Sequence, residues 1–243
     1  MNTNLQALWQ GTRESDSVRQ RIFQVLRQSI IQMVLEPGQA LSEKELADAF
    51  SVSRQPVREA FIRLSEAGLV EVRPQRGTYV VGISRQAVLE ARFIREALEV
   101  AIARAAAEKG LVPAVLRELN ELIERQRSCI EPADHDRFFQ LDEAFHRTMA
   151  MEVGNTMAWR VIEDVKAQLD RVRYLSIPDS TPIPKLTDQH QAVVQAIAAR
   201  KPEQAAQAMA AHQREILVSL PELERRFPAL FEVSAVSASL AEA

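Results

Sequence analysis

The 243-residue chain has little of what marks several protein classes. One cysteine, Cys129, excludes a disulfide framework within the chain and agrees with a reducing compartment. No stretch approaches the roughly 18 apolar residues of a membrane helix. The N-terminal residues lack a cationic start followed by an apolar run, so we expect neither a membrane span nor a signal peptide. A net charge of −3 argues against a polycation that coats nucleic acid. We expect a cytoplasmic, globular protein.

Glycine is also scarce, and its distribution divides the chain. Five of the seven glycines lie in the first 82 residues. Glycine marks turns, so the first third should contain tight turns and the rest long helices. The charge divides in the same way, with +1 over residues 1–82 and −4 over residues 83–243. We therefore expect an N-terminal extension (1–14), a first domain (15–82), a linker (83–86), a second domain (87–225) and a disordered tail (226–243).

Apolar spacing in the first domain predicts three helices and two strands. Helices are expected over 17–35, over a short segment after a capping box at Ser42–Glu45, and over 54–67. Short strands are expected at 69–72 and 78–81, on either side of a basic hairpin loop. Two helices joined by a tight turn and followed by a basic hairpin are the order of a winged helix-turn-helix.

The basic residues of this domain occupy the positions that such a motif uses to bind DNA. The N-terminal residues of the second helix of a helix-turn-helix reach base edges, and arginine and glutamine pair with guanine and adenine there. A single arginine on such a module is more often only solvated, but five arginines between residues 54 and 76 favour DNA binding. The predicted DNA contacts are Lys44, Arg54, Gln55, Arg58 and the wing residues Arg73, Arg76 and Gly77.

The remainder of the chain predicts an all-α, antiparallel helical bundle, which makes the fold mainly α. Helices are expected over about 86–109, 112–130, 134–153, 156–176, 183–199 and 202–219, with a short one after Pro221. The connections are short, so neighbouring helices should be antiparallel.

Three of the four histidines could meet inside this bundle. Asp142 and His146 lie four residues apart on one predicted helix and so share a face, while His190 and His212 lie on two later helices. Imidazole nitrogens and a carboxylate suit a divalent transition metal such as Zn²⁺, Ni²⁺ or Mn²⁺. The alternative is a surface hydrogen bond between Asp142 and His146 and histidines that bind nothing.

Arg95 interrupts an otherwise apolar helical stripe. A buried arginine needs an anionic partner, which is either a ligand carboxylate or an internal carboxylate, for example a glutamate of the facing helix. Asn155, Arg171 and Tyr174 are weaker candidates for an effector pocket.

Residues 15–82 resemble the DNA-binding domain of the GntR family of bacterial transcription regulators. The matching motifs are L-S-E-x-E-L-A, V-S-R-x-P-V-R-E-A, L-x-x-x-G-L-V and R-G-T-x-V. The resemblance implies that Arg54 and Arg58 are the main contacts to bases and backbone.

Residues 87–222 resemble the all-helical, FCD-type effector domain of the FadR-type subfamily. The motifs are L-D-E-A-F-H, Q-H-x-A-V-x-x-A-I and A-M-x-x-H, together with an arginine in R-x-x-L-E at Arg95. The resemblance implies that Asp142, His146, His190 and His212 ligate a metal. Some subfamily members that bind acyl chains lack these histidines, so the resemblance also argues against a fatty-acyl-CoA sensor and implies a small organic acid whose carboxylate completes the coordination.

The combined prediction is a ligand-responsive transcription regulator that binds double-stranded operator DNA as a homodimer and is not an enzyme. Linker 83–86 and the helix after it would transmit effector binding. One alternative is a metal-dependent hydrolase built on the bundle, with Glu143 as a base. Another is a nucleoid-type DNA binder without a ligand.

Overall fold

The computed structural model of the protein describes residues 3–12, 15–178 and 181–232. They form two compact units. The first contains the residues up to Val88 together with those from Glu224 onward, and the second is Leu89–Leu223. In the part of the chain described, no helix is long and apolar enough to cross a membrane.

The first unit is the predicted winged helix-turn-helix. Its elements are α1 (Thr3–Gln10), α2 (Val18–Ile31), β1 (Ala40–Leu41), α3 (Glu43–Phe50), α4 (Arg54–Glu66), β2 (Val70–Arg73) and β3 (Gly77–Val80). The strands form an antiparallel sheet in the order β1-β3-β2, with Arg73 opposite Gly77 at the tip of the hairpin.

Local chemistry sets where α3 ends and α4 begins. Ser42 caps α3, its side chain accepting a hydrogen bond from the backbone N of Glu45 (3.3 Å). Ser51 follows α3 with a φ of 55°, a left-handed turn that leads into α4. Ser53 occupies the N-cap position of α4 but its side chain makes no capping hydrogen bond. Buried Val57, Phe61 and Leu64 then pack α4 into the core.

The first residues contain a packed helix where the sequence predicted only an extension. On α1, Leu5 is buried and the ring of Trp9 stacks on Phe50 of α3, with ring centroids 4.7 Å apart. The guanidinium of Arg21 lies 4.3 Å from the centroid of the Trp9 ring. Strand β1 was also not predicted, because two residues are too few to show alternation.

The second unit is all-helical, as predicted. Its helices are α5 (Arg85–Lys109), α6 (Pro113–Arg127), α7 (His135–Glu152), α8 (Thr156–Val165), α9 (Ala167–Ser176), α10 (Ile183–Ala198), α11 (Pro202–Arg214) and α12 (Ile216–Arg226). Helix α5 begins, and α12 ends, in the first unit. Two predicted helices are each broken in two, at Lys166 and at Glu215, and Pro221 lies inside α12 rather than at a helix start.

The chain after α12 pairs with the linker. Residues Pro228–Leu230 form a short 3₁₀ helix, and the backbone N of Ile83 donates to the carbonyl of Leu230 (2.8 Å). The backbone N of Glu232 donates to the carbonyl of Ile83 (3.0 Å). A Cβ on Gly82 would lie 2.8 Å from that nitrogen, so this approach requires glycine. The disordered tail was predicted over 226–243, but α12 extends to Arg226 and the chain over 228–232 pairs with the linker, so the structure differs from that prediction over 226–232. Residues 233–243 lie outside the described residues.

Candidate functional site

The predicted DNA contacts lie on one helix start and one hairpin of the first unit. Arg54, Gln55 and Arg58 are exposed on the first turns of α4, and Lys44 is exposed on the first turn of α3. The side chains of Arg54 and Arg58 keep 62% and 56% of their surface exposed. They are therefore accessible to a duplex.

A carboxylate of α3 contacts both arginines. Nε and Nη2 of Arg58 donate to Oε1 and Oε2 of Glu43 (3.0 and 3.1 Å), and Nη2 of Arg54 donates to Oε2 (2.9 Å). The hydrogen bonds of Arg58 are the largest influence on Glu43, and with Arg54 they lower the pKa of its carboxyl group despite partial burial. Gln55 donates to Glu59 of its own helix (3.2 Å).

The wing presents two arginines at its tip. Arg73, Arg76 and Gly77 are all exposed, and Gly77 has a φ of 111°, which favours glycine. Nε of Arg73 donates to Glu71 (2.8 Å), and its guanidinium lies 4.8 Å from the centroid of the Tyr79 ring. The wing is therefore a basic, exposed hairpin.

In the second unit, four residues from three helices meet in one buried cluster. Asp142 and His146 come from α7, His190 from α10 and His212 from α11, and all four are buried. One ligand atom from each lies within 4.8 Å of every other. We name these four residues the histidine cluster.

Distances in the histidine cluster suit a single ion. Nε2 of His212 lies 3.3 Å from Nε2 of His190 and 3.2 Å from Nε2 of His146. Oδ1 of Asp142 lies 3.5 Å from Nε2 of His190 and 3.9 Å from Nε2 of His146. Ligands that sit about 2.0–2.2 Å from Zn²⁺ stand about 3.0–3.5 Å from their neighbours on the same ion.

Surrounding groups fix which ring nitrogens carry the protons. Nδ1 of His190 is 2.8 Å from Oε1 of Gln126, whose Nε2 donates to the carbonyl of Leu141 (3.2 Å). Nδ1 of His212 is 3.0 Å from Oε1 of Gln189, whose Nε2 donates to Glu215 (3.1 Å). Both amide oxygens therefore accept from Nδ1–H, which leaves Nε2 with a lone pair.

The third histidine is oriented by a carboxylate. Nδ1 of His146 contacts Oε2 of Glu99, a residue only 2% exposed. Burial raises the pKa of Glu99, but the charges of Arg95 and His146 outweigh it and lower the value to about 2. The carboxylate therefore lies against Nδ1 of His146, and the Nε2 atoms of His146 and His190 both lie within 3.3 Å of Nε2 of His212.

Burial keeps two of these imidazoles neutral. It lowers the pKa of His190 to about 3, and it lowers the pKa of His212 well below its usual value. The Nε2 atoms of His190 and His212 lie 3.3 Å apart and face each other with lone pairs and no hydrogen between them, an arrangement that a cation would stabilise. The donor set thus fits a divalent metal.

The second oxygen of Asp142 is held by an arginine that the sequence reasoning missed. Nη2 of Arg173 contacts Oδ2 of Asp142, while its Nη1 donates to Glu143 (2.8 Å) and Asp170 (2.9 Å). Burial raises the pKa of Asp142, but the charge of Arg173 and the nearby histidines lower it overall. Asp142 therefore faces the histidines as a carboxylate with one oxygen available.

A small cavity of about 40 Å³ adjoins the histidine cluster and opens to solvent. Its polar lining consists of Arg95, Asp142, Arg173, Ser176, Thr181, His212, Gln213 and Glu215. Nη2 of Arg95 and Oγ1 of Thr181 are buried and have no hydrogen-bond partner within the described part of the chain. A ligand with acceptor oxygens would satisfy both groups.

Arg95 has an internal partner as well. Its Nε donates to Oε1 of Glu99 (2.5 Å) on its own helix, not to a glutamate of a facing helix. Arg95 thus has an internal carboxylate partner through Nε and a second nitrogen, Nη2, without one in the described part of the chain. The structure is therefore compatible both with an internal ion pair and with a ligand carboxylate.

The weaker pocket candidates lie elsewhere. Asn155 is exposed at the N-cap of α8 and does not line the cavity. Tyr174 does not line it either, and its hydroxyl donates to Asp136 (2.7 Å). Arg171 is fully buried in α9, outside the lining. Glu143, the base considered for a hydrolase, contacts Lys166 and Arg173, whose charges hold its pKa well below the usual value despite burial.

Two family models match the chain. The model described as bacterial regulatory proteins, gntR family, matches residues 18–80, and the FCD domain model matches residues 90–215.

Curated relatives are transcription regulators by name. The HTH-type transcriptional repressor RspR of Escherichia coli (strain K12) is 41% identical over 208 residues, covering 86% of this chain and 91% of its own. The gluconate operon transcriptional repressor of Bacillus subtilis (strain 168) is 27% identical, with 73% and 74% covered.

Solved structures share the fold. E. coli McbR/YncC has a TM-score of 0.73 at 22% identity, with 87% of this chain and 99% of that chain covered. A transcriptional regulator GntR from Rhodococcus sp. RHA1 has a TM-score of 0.67 at 24% identity, with 83% and 98% covered.

Proposed function

The chain belongs to the gntR family of bacterial regulatory proteins and contains an FCD domain, and from this premise we propose that it is a repressor controlled by a small organic acid. It is a DNA-binding transcription regulator, and its relatives include named repressors. The finer steps of the proposal concern the operator contacts, the metal and the effector.

Operator binding is assigned to α4 and the wing. Arg54, Gln55 and Arg58 would enter the major groove, and Lys44, Arg73 and Arg76 would contact phosphates or the minor groove beside Gly77. Their exposure on the first unit supports this assignment. The chain would act as a homodimer, because a two-fold axis presents two recognition helices to half-sites one helical turn apart.

Asp142, His146, His190 and His212 would hold one divalent ion, Zn²⁺, Ni²⁺ or Mn²⁺. The observation that carries this step is the close approach of buried Nε2 atoms, with His212 at 3.3 Å from His190 and 3.2 Å from His146, while amide oxygens contact Nδ1 of His190 and of His212. When bound, the ion supplies an open coordination position for an oxygen ligand.

The effector class follows from the adjacent cavity. Arg95 and Thr181 both line it, and each has a buried polar group, Nη2 and Oγ1, without a hydrogen-bond partner in the described part of the chain. A guanidinium matches a carboxylate, so we assign the cavity to a small carboxylic acid, one oxygen of which faces the histidine cluster. Arg95 lies on α5, a continuous helix that begins in the first unit. A ligand bound at Arg95 would therefore affect the DNA-binding unit through this helix.

A thermal-shift screen tests the proposal. Carboxylic acids of two to six carbons, gluconate among them, would be added to protein loaded with Zn²⁺ and to protein treated with chelator. We expect at least one acid to raise the melting temperature, and to do so more strongly with zinc present.

Variants make the screen specific. Arg95→Gln should abolish the shift given by the acid. Arg104→Gln, on the same helix with its partner Glu203 at the surface, should retain it. No shift from any acid, or equal shifts in both variants, would contradict the assignment of the cavity.

A further inference from the structure

Glu43 contacts the two arginines that the proposed function places against DNA bases. It is the first residue of α3, and its backbone is fixed by the capped start of that helix. Its carboxylate crosses to α4 and makes three hydrogen bonds of 2.9–3.1 Å with Arg54 and Arg58. Its side chain keeps only 21% of its surface exposed, while the arginine tips remain open.

The hydrogen bonds of Arg58 to Glu43 leave enough of its N–H groups available to contact a base. A guanidinium carries five N–H donors in a fixed plane. Arg58 uses Nε–H and one Nη2–H, the side of the fork, to hold both oxygens of Glu43. The two Nη1–H groups and the second Nη2–H remain at the end of the fork, and a bidentate contact to O6 and N7 of guanine needs two such donors.

We propose that Glu43 is a specificity-determining positioning residue, which holds Arg58, and through one bond Arg54, in the orientation that reads bases. This inference rests on the proposed roles of the two arginines. An arginine that is already fixed loses less conformational freedom when it pairs with a base. The same carboxylate repels the phosphates of any duplex, so it lowers affinity for DNA of every sequence.

These two effects have opposite signs, which distinguishes positioning from simple charge repulsion. Removing the charge should strengthen non-specific binding and weaken operator binding at the same time. A residue that mattered only for folding would lower both affinities.

The experiment uses the full-length protein and two fluorescent duplexes of about 30 base pairs. One is selected from a random library by the wild-type protein, and the other is a scrambled sequence of equal composition. Dissociation constants are measured at several salt concentrations. Glu43→Gln should raise affinity for the scrambled duplex about threefold, as expected for a unit charge about 7 Å from a phosphate in water. It should lower affinity for the selected duplex about five- to tenfold. This is less than the full free energy of one bidentate contact, because the arginine is still present but is no longer held in place.

Two further variants complete the test. Glu45→Gln removes the same charge from the exposed first turn of α3, and should change both affinities alike, leaving their ratio within about twofold. Glu43→Asp keeps the charge but shortens the side chain, so it should leave scrambled-duplex affinity unchanged and still reduce selected-duplex affinity.

The outcomes separate this inference from the assignment on which it depends. If Arg58→Ala lowers selected-duplex affinity while Glu43→Gln behaves like Glu45→Gln, the positioning role is overturned and the arginine contact stands. If Arg58→Ala has no effect on the selected duplex, the contact assignment itself fails, and the positioning role fails with it.

Discussion

Replacing Gln126 with leucine isolates the contribution of the groups around the histidine cluster. Gln126 is fully buried, and its Oε1 is the acceptor for Nδ1 of His190 at 2.8 Å. Leucine fills a similar volume but cannot accept a hydrogen bond. His190 would then have no acceptor to keep its proton on Nδ1, and part of the population would carry the proton on Nε2, where it blocks a metal.

The expected magnitudes follow from this geometry. Loss of an outer partner lowers metal affinity about 10- to 100-fold, or about 1.4–2.7 kcal/mol of binding free energy. The buried N–H of His190 that is left unpaired costs about 1–3 kcal/mol in the free energy of unfolding of the metal-free protein. The effect on metal affinity should therefore be measurable in a protein that still folds.

Zinc affinity would be measured by competition with a fluorescent chelator, and stability by urea unfolding. Gln191→Leu is the matched control, because Gln191 follows His190 on α10 and its amide donates to Asn120 outside the histidine cluster (3.3 Å). We expect Gln191→Leu to retain wild-type zinc affinity. A folded Gln126→Leu protein that binds zinc as tightly as the wild type would refute the argument that Gln126 fixes the tautomer.

Three other predictions concern proton binding, backbone strain and the wing. Burial lowers the folded-state pKa of His190 to about 3 and also lowers that of His212, so below pH 6.5 the unfolded chain binds protons that the folded chain does not. The metal-free protein should therefore lose stability as pH falls from 6.5 towards 3, by up to about 1.4 kcal/mol per pH unit for each histidine. A free energy of urea unfolding that is the same at pH 7 and pH 5 would contradict this. Gly68→Ala should lower the free energy of unfolding by about 1–2 kcal/mol, because φ is +66° at this residue even though no atom lies within 4 Å of an added Cβ. Gly11→Ala should be nearly neutral and serves as the control. An unchanged melting temperature for Gly68→Ala would contradict the argument from backbone strain. Arg76→Ala should weaken binding to all duplexes alike and reduce the salt slope by about one per subunit of the proposed dimer. A loss confined to the selected duplex would assign Arg76 to base reading instead.

Much of the winged domain was predictable because its signals are local. The capping box at Ser42, the turn before α4 and the glycines of the hairpin each act within a few residues. Helix α1 was missed because its stability comes from the contact of Trp9 with Phe50, about 40 residues away in the chain, which no periodicity reveals.

The histidine cluster was partly predictable for a different reason. Asp142 and His146 share a helix face by their spacing, whereas the meeting of that face with His190 and His212 depends on packing, and was expected mainly from the family resemblance. Glu99 and Gln126, which orient the histidines, carry no motif. Their roles depend on which residues face each other across helices.

Arg173 shows that the packing of a helix, and not its sequence alone, decides which of two nearby arginines lines the cavity. The sequence was interpreted as one helix over 156–176, but the chain breaks at Lys166 and begins a new helix. The register of a single helix does not extend across such a break. Arg171 was considered for the pocket, whereas Arg173 is the arginine that lines the cavity and contacts Asp142.

The metal content of the full-length protein is the measurement that tests the central proposal most directly. Purified protein would be loaded with an equimolar mixture of zinc, nickel and manganese, passed through gel filtration and analysed by mass spectrometry of the elements. We predict one divalent ion per chain for the wild type and for His135→Gln, whose histidine lies outside the cluster at the start of α7. We predict almost none for His190→Gln and His212→Gln. Equal metal content in all four proteins would contradict the account.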